Sequence, residues 1–101
     1  MIRIWKEADR KIEMTVRIII RGKVQGVFFR KSAKDIADNL GVVGWIRNNR
    51  DGSVESLATG EKESLDSYIQ WCRKGPGLAE VENLEVEWIG TEETFDSFEV
   101  I

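Results

Sequence analysis

RGKVQGVFFR, residues 21–30, marks the point where one repeating pattern ends and another begins. In residues 15–21, Val16, Ile18 and Ile20 alternate with other side chains, and three of the seven residues are isoleucine, which predicts a strand. From Phe29 onward, apolar side chains recur at helical spacing: Phe29, Ala33, Ile36, Ala37 and Leu40. The sequence therefore predicts a strand that passes through a glycine-containing loop into an amphipathic helix.

Two more strands are predicted after this helix. Gly41 stands where a left-handed cap would end the helix. Branched and aromatic residues then predict strands over 42–48 and 53–59, and the turn between them ends in Asp51-Gly52. This part of the chain is predicted to form a hairpin.

A second helix is predicted over residues 61–74, where Leu65, Tyr68, Ile69 and Cys72 recur at one helical face. The Gly-Pro-Gly sequence at 75–77 ends it. Apolar residues that alternate with glutamates predict a strand over 81–88, and a short strand is expected over 97–101.

The predicted order of strand, helix, strand, strand, helix, strand is that of an α+β, ferredoxin-like βαββαβ sandwich. Its antiparallel sheet would carry both helices on one face, and residues 97–101 would add a short extra C-terminal edge strand. We expect residues 14–101 to form this domain. Residues 1–13 would be an N-terminal extension, either an additional packed segment or a frayed tail.

The composition is that of a globular protein, with 42% hydrophobic and 33% charged residues in 101. No apolar run is long enough to span a bilayer, and the first residues have no apolar core typical of a secretory signal. We expect a cytoplasmic monomer that does not bind membranes. A single cysteine, Cys72, and no histidine exclude an internal disulfide and the usual zinc-ligand sets.

Charge is unevenly distributed along the chain. Residues 1–34 carry ten Lys or Arg and three acids, whereas residues 78–101 carry eight acids and no base. The overall charge of −3 makes nonspecific binding of nucleic acid unfavourable. The basic region around residues 21–30 instead favours a small anionic ligand.

A loop that leads into a helix N-terminus exposes unpaired backbone amides at the positive end of the helix dipole. Gly22 and Gly26 would allow positive φ angles that curl these amides inward, and Arg30 could add a guanidinium to the same anion. From these residues alone, a tight turn beside a surface arginine is an equally good interpretation. Neither G-K-[ST] nor G-x-G-x-x-G is present, so nucleotide binding has no support.

No side chain in or near the loop is suited to forming a covalent phospho-enzyme. Cys72 lies on the apolar stripe of the second predicted helix, the chain lacks histidine, and the loop lacks an acid. Any phosphoryl transfer here would have to use water directly.

Three strings together resemble the acylphosphatase family: G-K-V-Q-G-V-F-F-R at 22–30, G-V-V-G-W-I-R-N at 41–48, and D-G-S-V-E at 51–55. The resemblance extends to the V-E-x-x-x-V-x-W run that ends at Trp88 and covers roughly residues 14–101. It implies a small enzyme that hydrolyses carboxyl-phosphate mixed anhydrides to a carboxylate and inorganic phosphate, without metal or other cofactor.

The resemblance also implies roles for particular residues. The family's catalytic arginine corresponds to Arg30, and its catalytic asparagine, which orients the attacking water, corresponds to Asn48. The phosphate-binding loop would consist of Gln25, Gly26, Val27, Phe28, Phe29 and Arg30. We expect Phe28 and Phe29 to pack beneath this loop. Inorganic phosphate would bind as product and as competitive ligand.

A non-catalytic module on the same fold is the alternative function. It would bind phosphate through the same loop, or RNA through aromatic side chains on the sheet. The sequence lacks the aromatic RNA-recognition signature of that fold, so we expect no nucleic-acid ligand.

Overall fold

The computed structural model describes residues 13–90 and 95–101. They form five strands and two helices. In chain order these are β1 (Glu13–Lys23), α1 (Phe29–Leu40), β2 (Val43–Asn48), β3 (Val54–Glu61), α2 (Lys62–Lys74), β4 (Glu80–Ile89) and β5 (Phe98–Val100). The predicted element order is confirmed, and β1 starts two residues earlier than the isoleucine pattern indicated. The extension predicted for residues 1–13 lies outside the described residues except for Glu13.

The five strands form one sheet in the order β4-β1-β3-β2-β5. The pairs β1–β4, β1–β3 and β2–β3 are antiparallel, as the ferredoxin-like order requires. Strand β5 is the expected addition at the edge, and it pairs with β2 in parallel. The sheet is therefore mixed at this edge, and the C-terminal residues lie beside the strand that carries Asn48.

One face of the sheet is covered by both helices. The β1 side chains of this face, Val16, Ile18 and Ile20, have no exposed surface. Their partners on β3 are the small residues Ala58 and Ser56 and the branched Val54, which leave room for the helices. Full burial of each apolar side chain contributes roughly 1.5–3 kcal/mol, so this layer supplies much of the stabilisation.

The two helices follow their predicted patterns. Helix α1 is capped by Gly41, which follows its last residue. The φ of Gly41 is 75°, in the left-handed region, and its amide donates to carbonyls of the last turn. Helix α2 buries the predicted stripe of Leu65, Tyr68, Ile69 and Cys72. The two helices contact each other through the Phe29 and Trp71 rings, whose centroids are 5.2 Å apart.

Cys72 is a core residue. It has no exposed surface, and burial raises the pKa of its thiol to about 12. The neighbouring Tyr68 hydroxyl is 2.9 Å from the Ser56 hydroxyl on β3, and burial also raises its pKa. Both groups are neutral at physiological pH, which agrees with a structural role.

The opposite face of the sheet is polar. Glu55, on the central strand, is only 8% exposed and lies 3.5 Å from Arg17 and 3.2 Å from Arg47. The Arg47 guanidinium also lies over the Trp45 ring, 4.9 Å from its centroid. Within residues 13–90 and 95–101, neither helix has the length and apolar character needed to cross a bilayer.

Candidate active site

A cavity of about 570 Å³ opens at the N-terminal end of α1, near the edge of the sheet formed by β2 and β5. Its walls come from the loop after β1, the first turns of α1, the end of β2 and the edge strand β5. The lining residues are Val24, Gly26, Phe28, Phe29, Arg30, Lys31, Lys34, Asp35, Asn48 and Val100. Arg30 and Asn48 lie 18 positions apart in the sequence and line the same cavity.

The loop before α1 contains left-handed backbone at two positions. Gly26 has φ of 77°, and Phe28, the residue that precedes the helix, has φ of 64° and ψ of 25°. Gly22 was expected to shape this loop, but it lies within β1, at a bulge where the pairing with β4 shifts register. A Cβ atom at Gly22 would overlap the Glu80 backbone, so this glycine allows close approach of β4.

Among the residues that the structure describes, the amides of this loop have no backbone partners. The Ser32 amide donates to the Phe28 carbonyl at 3.1 Å and is the first amide of the helix with such a bond. In the described part of the chain, no amide from Gln25 to Lys31 donates to a backbone carbonyl. This row of free donors at the positive end of a 12-residue helix is suited to an anion.

Arg30, in the first turn of α1, is half-buried beside this row of amides. Its Nη1 donates to the Ile101 carbonyl at 3.2 Å, so the C-terminal segment holds one side of the guanidinium. A guanidinium has five N–H donors, and within the described residues the Arg30 side chain makes no other hydrogen bond. The contact depends on the parallel pairing of β5 with β2, because that pairing places Ile101 beside Arg30.

Asn48 is the last residue of β2 and faces the helix side of the sheet, as does the buried Ile46 two residues earlier. The strand ends here, so the Asn48 side chain is exposed to the cavity. Within the described residues, its carboxamide makes no hydrogen bond to protein groups. The amide is therefore available to a water molecule or a substrate.

Phe28 does not pack beneath the loop, and in this respect the sequence-based expectation was wrong. Its side chain is 70% exposed and lies on the cavity wall, whereas Phe29 is 2% exposed and packs against Trp71. The left-handed backbone at Phe28 turns its side chain away from the core. Two adjacent phenylalanines thus have opposite environments.

The other two loop residues are not among those that line the cavity. Val27 is 6% exposed and belongs to the core, so only its backbone is available to a ligand. The Gln25 side chain is directed toward the connection between β2 and β3, where its Nε2 donates to two backbone carbonyls. For both residues, the sequence motif indicated the backbone position but not the direction of the side chain.

Sequence reasoning missed several cavity residues. Lys31 and Lys34 add positive charge to the wall, and Lys34 Nζ contacts the Phe98 carbonyl at 2.8 Å and Asp38 at 3.1 Å. Lys34 lies one helical turn after Arg30, a spacing that could have indicated the shared face. No local signal in the sequence indicates Val100.

The described residues offer no metal site. Within residues 13–90 and 95–101, no group of three or more Cys, Asp or Glu side chains could hold an ion. The cavity lining contains one carboxylate, Asp35, but three cationic side chains, Arg30, Lys31 and Lys34, which together suit an anion rather than a cation.

Several known proteins are similar to this chain in sequence and in fold. A profile described as Acylphosphatase matches residues 16–100. The chain is 49% identical over 85 residues to an acylphosphatase from Pyrobaculum calidifontis, a match that covers 83% of this chain and 77% of that protein. Among solved structures, an acylphosphatase from Coxiella burnetii superposes with a TM-score of 0.86 at 37% identity, covering 92% of this chain and 99% of the other.

An acylphosphatase from Bacillus subtilis is similar to the chain in the same way, with a TM-score of 0.85 and 33% identity over 87% of this chain and 98% of the other. The resemblance in three sequence strings is thus matched by a likeness that extends over nearly the whole described domain. The chain belongs to the acylphosphatase family.

Proposed function

We propose that this chain hydrolyses acyl phosphates to a carboxylate and inorganic phosphate, with Arg30 and the loop before α1 binding the phosphoryl group and Asn48 orienting the attacking water. The observation that carries the proposal is that both side chains line one cavity together with a loop whose amides make no backbone hydrogen bond within residues 13–90 and 95–101. Family membership supports the class of reaction, and the shared cavity is compatible with the roles that the resemblance implies for Arg30 and Asn48.

The phosphoryl oxygens would accept hydrogen bonds from the amides of Gln25, Gly26, Val27, Phe28 and Phe29. The Ile101 carbonyl accepts a hydrogen bond from Arg30 Nη1 and so orients the guanidinium. The other N–H groups of Arg30 would add a bidentate contact to the phosphoryl group. These donors are fixed before the substrate arrives and face charge that spreads over the phosphoryl oxygens in the transition state. Such preorganised donors are the main source of catalysis in phosphoryl transfer.

The Asn48 carboxamide would hold a water molecule in line with the bond to be broken. The water oxygen forms a bond to phosphorus, and the bond between phosphorus and the acyl oxygen breaks with its electron pair leaving on the carboxylate. The proton of the water passes to a phosphate oxygen. A carboxylate is a good leaving group without protonation, which is consistent with a site that has no histidine.

Substitution at each position, with a matched control elsewhere on the fold, tests the proposal. We expect Arg30→Ala to weaken phosphate binding and lower turnover of acetyl phosphate, and Asn48→Ala to lower mainly kcat. Each loss should reach roughly a hundredfold, the usual effect of removing one preorganised donor. The assays should contain a chelator, and phosphate affinity should be measured by titration of the resting enzyme.

The control variants are Arg73→Ala on α2 and Asn83→Ala on β4, because both side chains are exposed and neither lines the cavity. They should keep wild-type kinetics. Full activity in Arg30→Ala and Asn48→Ala would eliminate the proposed roles. An aryl phosphate monoester serves as a second substrate, and we expect it to react far more slowly because its leaving group needs a proton.

A non-catalytic module that binds phosphate or RNA is the competing function. The exposed sheet face gives it little support, because Arg17 and Arg47 pair with Glu55 and the Arg47 guanidinium covers the Trp45 ring. Base stacking needs a free aromatic face. Salt-sensitive binding of single-stranded RNA together with no hydrolysis of acetyl phosphate would favour the module.

A further inference from the structure

Gln25 connects the loop before α1 to the connection between β2 and β3. Its Nε2 donates to the Asn49 carbonyl at 2.8 Å and to the Ser53 carbonyl at 2.9 Å. Both partners can only accept hydrogen bonds, so the NH₂ group of the carboxamide must face them. One side chain thus holds both ends of the turn that begins directly after Asn48.

The turn itself is rigid. The Asn49 amide donates to the Ser53 carbonyl at 2.8 Å, and Asn49 Nδ2 donates to Ser53 Oγ at 3.0 Å and to Glu55 at 3.1 Å. Asp51 accepts from the Ser53 amide and hydroxyl at 3.0 and 2.6 Å. Gln25 therefore joins the loop to a turn with little freedom of its own.

A second link between these segments is weaker. Arg21, at the end of β1, pairs with Asp51 at 3.1 Å, but the two side chains are 43% and 55% exposed. Exposed ion pairs contribute little because water screens them. The half-buried Gln25 contacts are thus the stronger tie between loop and turn.

The side chain of Gln25 does not contact the substrate in the proposed site; only its backbone amide does. It is absent from the residues that line the cavity, and both of its amide hydrogens are used by the two carbonyls. Any effect of its side chain on the reaction must pass through the groups that it holds in place.

We propose that Gln25 is a positioning residue: its carboxamide fixes the separation between the phosphate-binding loop and Asn48, so that the water held by Asn48 lies in line with the phosphoryl group. The inference rests on the proposed function. Reacting atoms must approach to about 3–3.5 Å with correct alignment, and a displacement of about 1 Å can cost roughly a hundredfold in rate. A loop and a strand end that come from different parts of the chain need such a connection.

The test compares Gln25→Glu and Gln25→Met with the wild type. Glutamate has the same shape but places an acceptor against two carbonyl oxygens, and methionine has similar length but no donor. We expect both variants to lower kcat for acetyl phosphate by roughly tenfold to a hundredfold. The dissociation constant of inorganic phosphate should change by less than about threefold, because the amides and Arg30 remain.

The same substitution in an Asn48→Ala background separates positioning from a general structural effect. If Gln25 acts through Asn48, Gln25→Met should lower kcat no further in that background. The control is Gln70→Glu, which makes the same charge change on the exposed surface of α2 and should leave kinetics unchanged. Thermal unfolding of each variant confirms that it is folded, and Gln25→Met carries the test if the glutamate variant does not fold.

A readout independent of turnover comes from the Asn48 side-chain amide resonances. Inorganic phosphate should shift them in the wild type and not in Gln25→Met. If the wild type failed to hydrolyse acetyl phosphate but kept this difference, the proposed function would fall and the positioning role would stand. Wild-type kcat in both Gln25 variants, or an equal loss of kcat in the Asn48→Ala background, would overturn the inference.

Discussion

The left-handed backbone at Phe28 predicts that glycine at this position gives a more stable protein than alanine does, the reverse of the usual order. The residue has φ of 64° and ψ of 25°, a left-handed conformation that costs a residue with a Cβ atom about 1–2 kcal/mol. Its ring is 70% exposed and therefore recovers little of that cost by burial. Strain of this kind is often found at functional loops, where the rest of the fold maintains it.

Two substitutions separate the backbone from the ring. Phe28→Ala removes the ring and keeps the strain, whereas Phe28→Gly removes both. Glycine recovers about 1–2 kcal/mol of strain and loses about 0.4–1 kcal/mol through the greater entropy of its unfolded chain. The middle of these two ranges gives Phe28→Gly an advantage in stability over Phe28→Ala of about 0.8 kcal/mol, the reverse of the order at ordinary backbone angles.

Urea unfolding followed by tryptophan fluorescence measures this difference, and the thermal midpoints should differ by roughly 2–8 °C for a domain of this size. The exposed ring also limits the loss in Phe28→Ala relative to the wild type to within about 1 kcal/mol. An alanine variant as stable as the glycine variant would refute the assigned backbone strain. A loss of about 3 kcal/mol in Phe28→Ala would mean that the ring is packed after all.

Other features of the fold allow three more predictions. Gly44→Ala should destabilise the protein by more than about 2 kcal/mol, because the φ of Gly44 is 136° and a Cβ atom there would overlap the backbone of the neighbouring strand. The control is Gly77→Ala, because the position has open space around it. Cys72 should resist a thiol reagent at pH 8 until the protein unfolds, since burial raises its thiol pKa to about 12. The pKa of Asp51 is lowered to about 2, chiefly by hydrogen bonds from Ser53, so Ser53→Ala should raise the midpoint of its carboxyl titration measured by NMR.

The pH dependence of stability follows from the direction of each shift. Because the pKa of Asp51 is depressed, its contribution to stability is complete above the ordinary value near 4 and disappears as pH falls toward 2. The thiol pKa of Cys72 is raised, so its contribution is complete below about 8.5 and disappears as pH rises toward 12. Rapid labelling of the native thiol, or an unchanged Asp51 midpoint in Ser53→Ala, would contradict these assignments.

Most of the element order could be predicted from local patterns. The alternation around Ile18 and the helical spacing from Phe29 to Leu40 each depend on neighbours within a few residues, and the structure places these side chains as the patterns indicate. Gly41 likewise adopts the left-handed cap expected of a glycine after the last helical turn. The loop-and-helix pattern indicated Arg30 and the resemblance to acylphosphatases added Asn48, and both residues line the cavity.

The prediction for Phe28 failed because the local pattern carried no information on its backbone angle. Two adjacent phenylalanines read as one apolar pair, and only the left-handed turn before α1 sends one ring outward and the other into the core. The side chain of Gln25 posed the same difficulty. Its partners, Asn49 and Ser53, lie 24 and 28 positions away, beyond the reach of any pattern in its own segment.

The sequence by itself determined which residues form strands and helices, where the glycine-containing loop before α1 lies, and that the chain has no histidine and a single cysteine. Only the tertiary structure decided that β5 pairs in parallel with β2, that Ile101 thereby holds Arg30, and that Gln25 joins the loop to the turn after Asn48. The physical reason is the separation along the chain over which each interaction acts. Periodicity and capping act over a few residues, whereas strand register and side-chain direction at a junction emerge only when distant segments pack together.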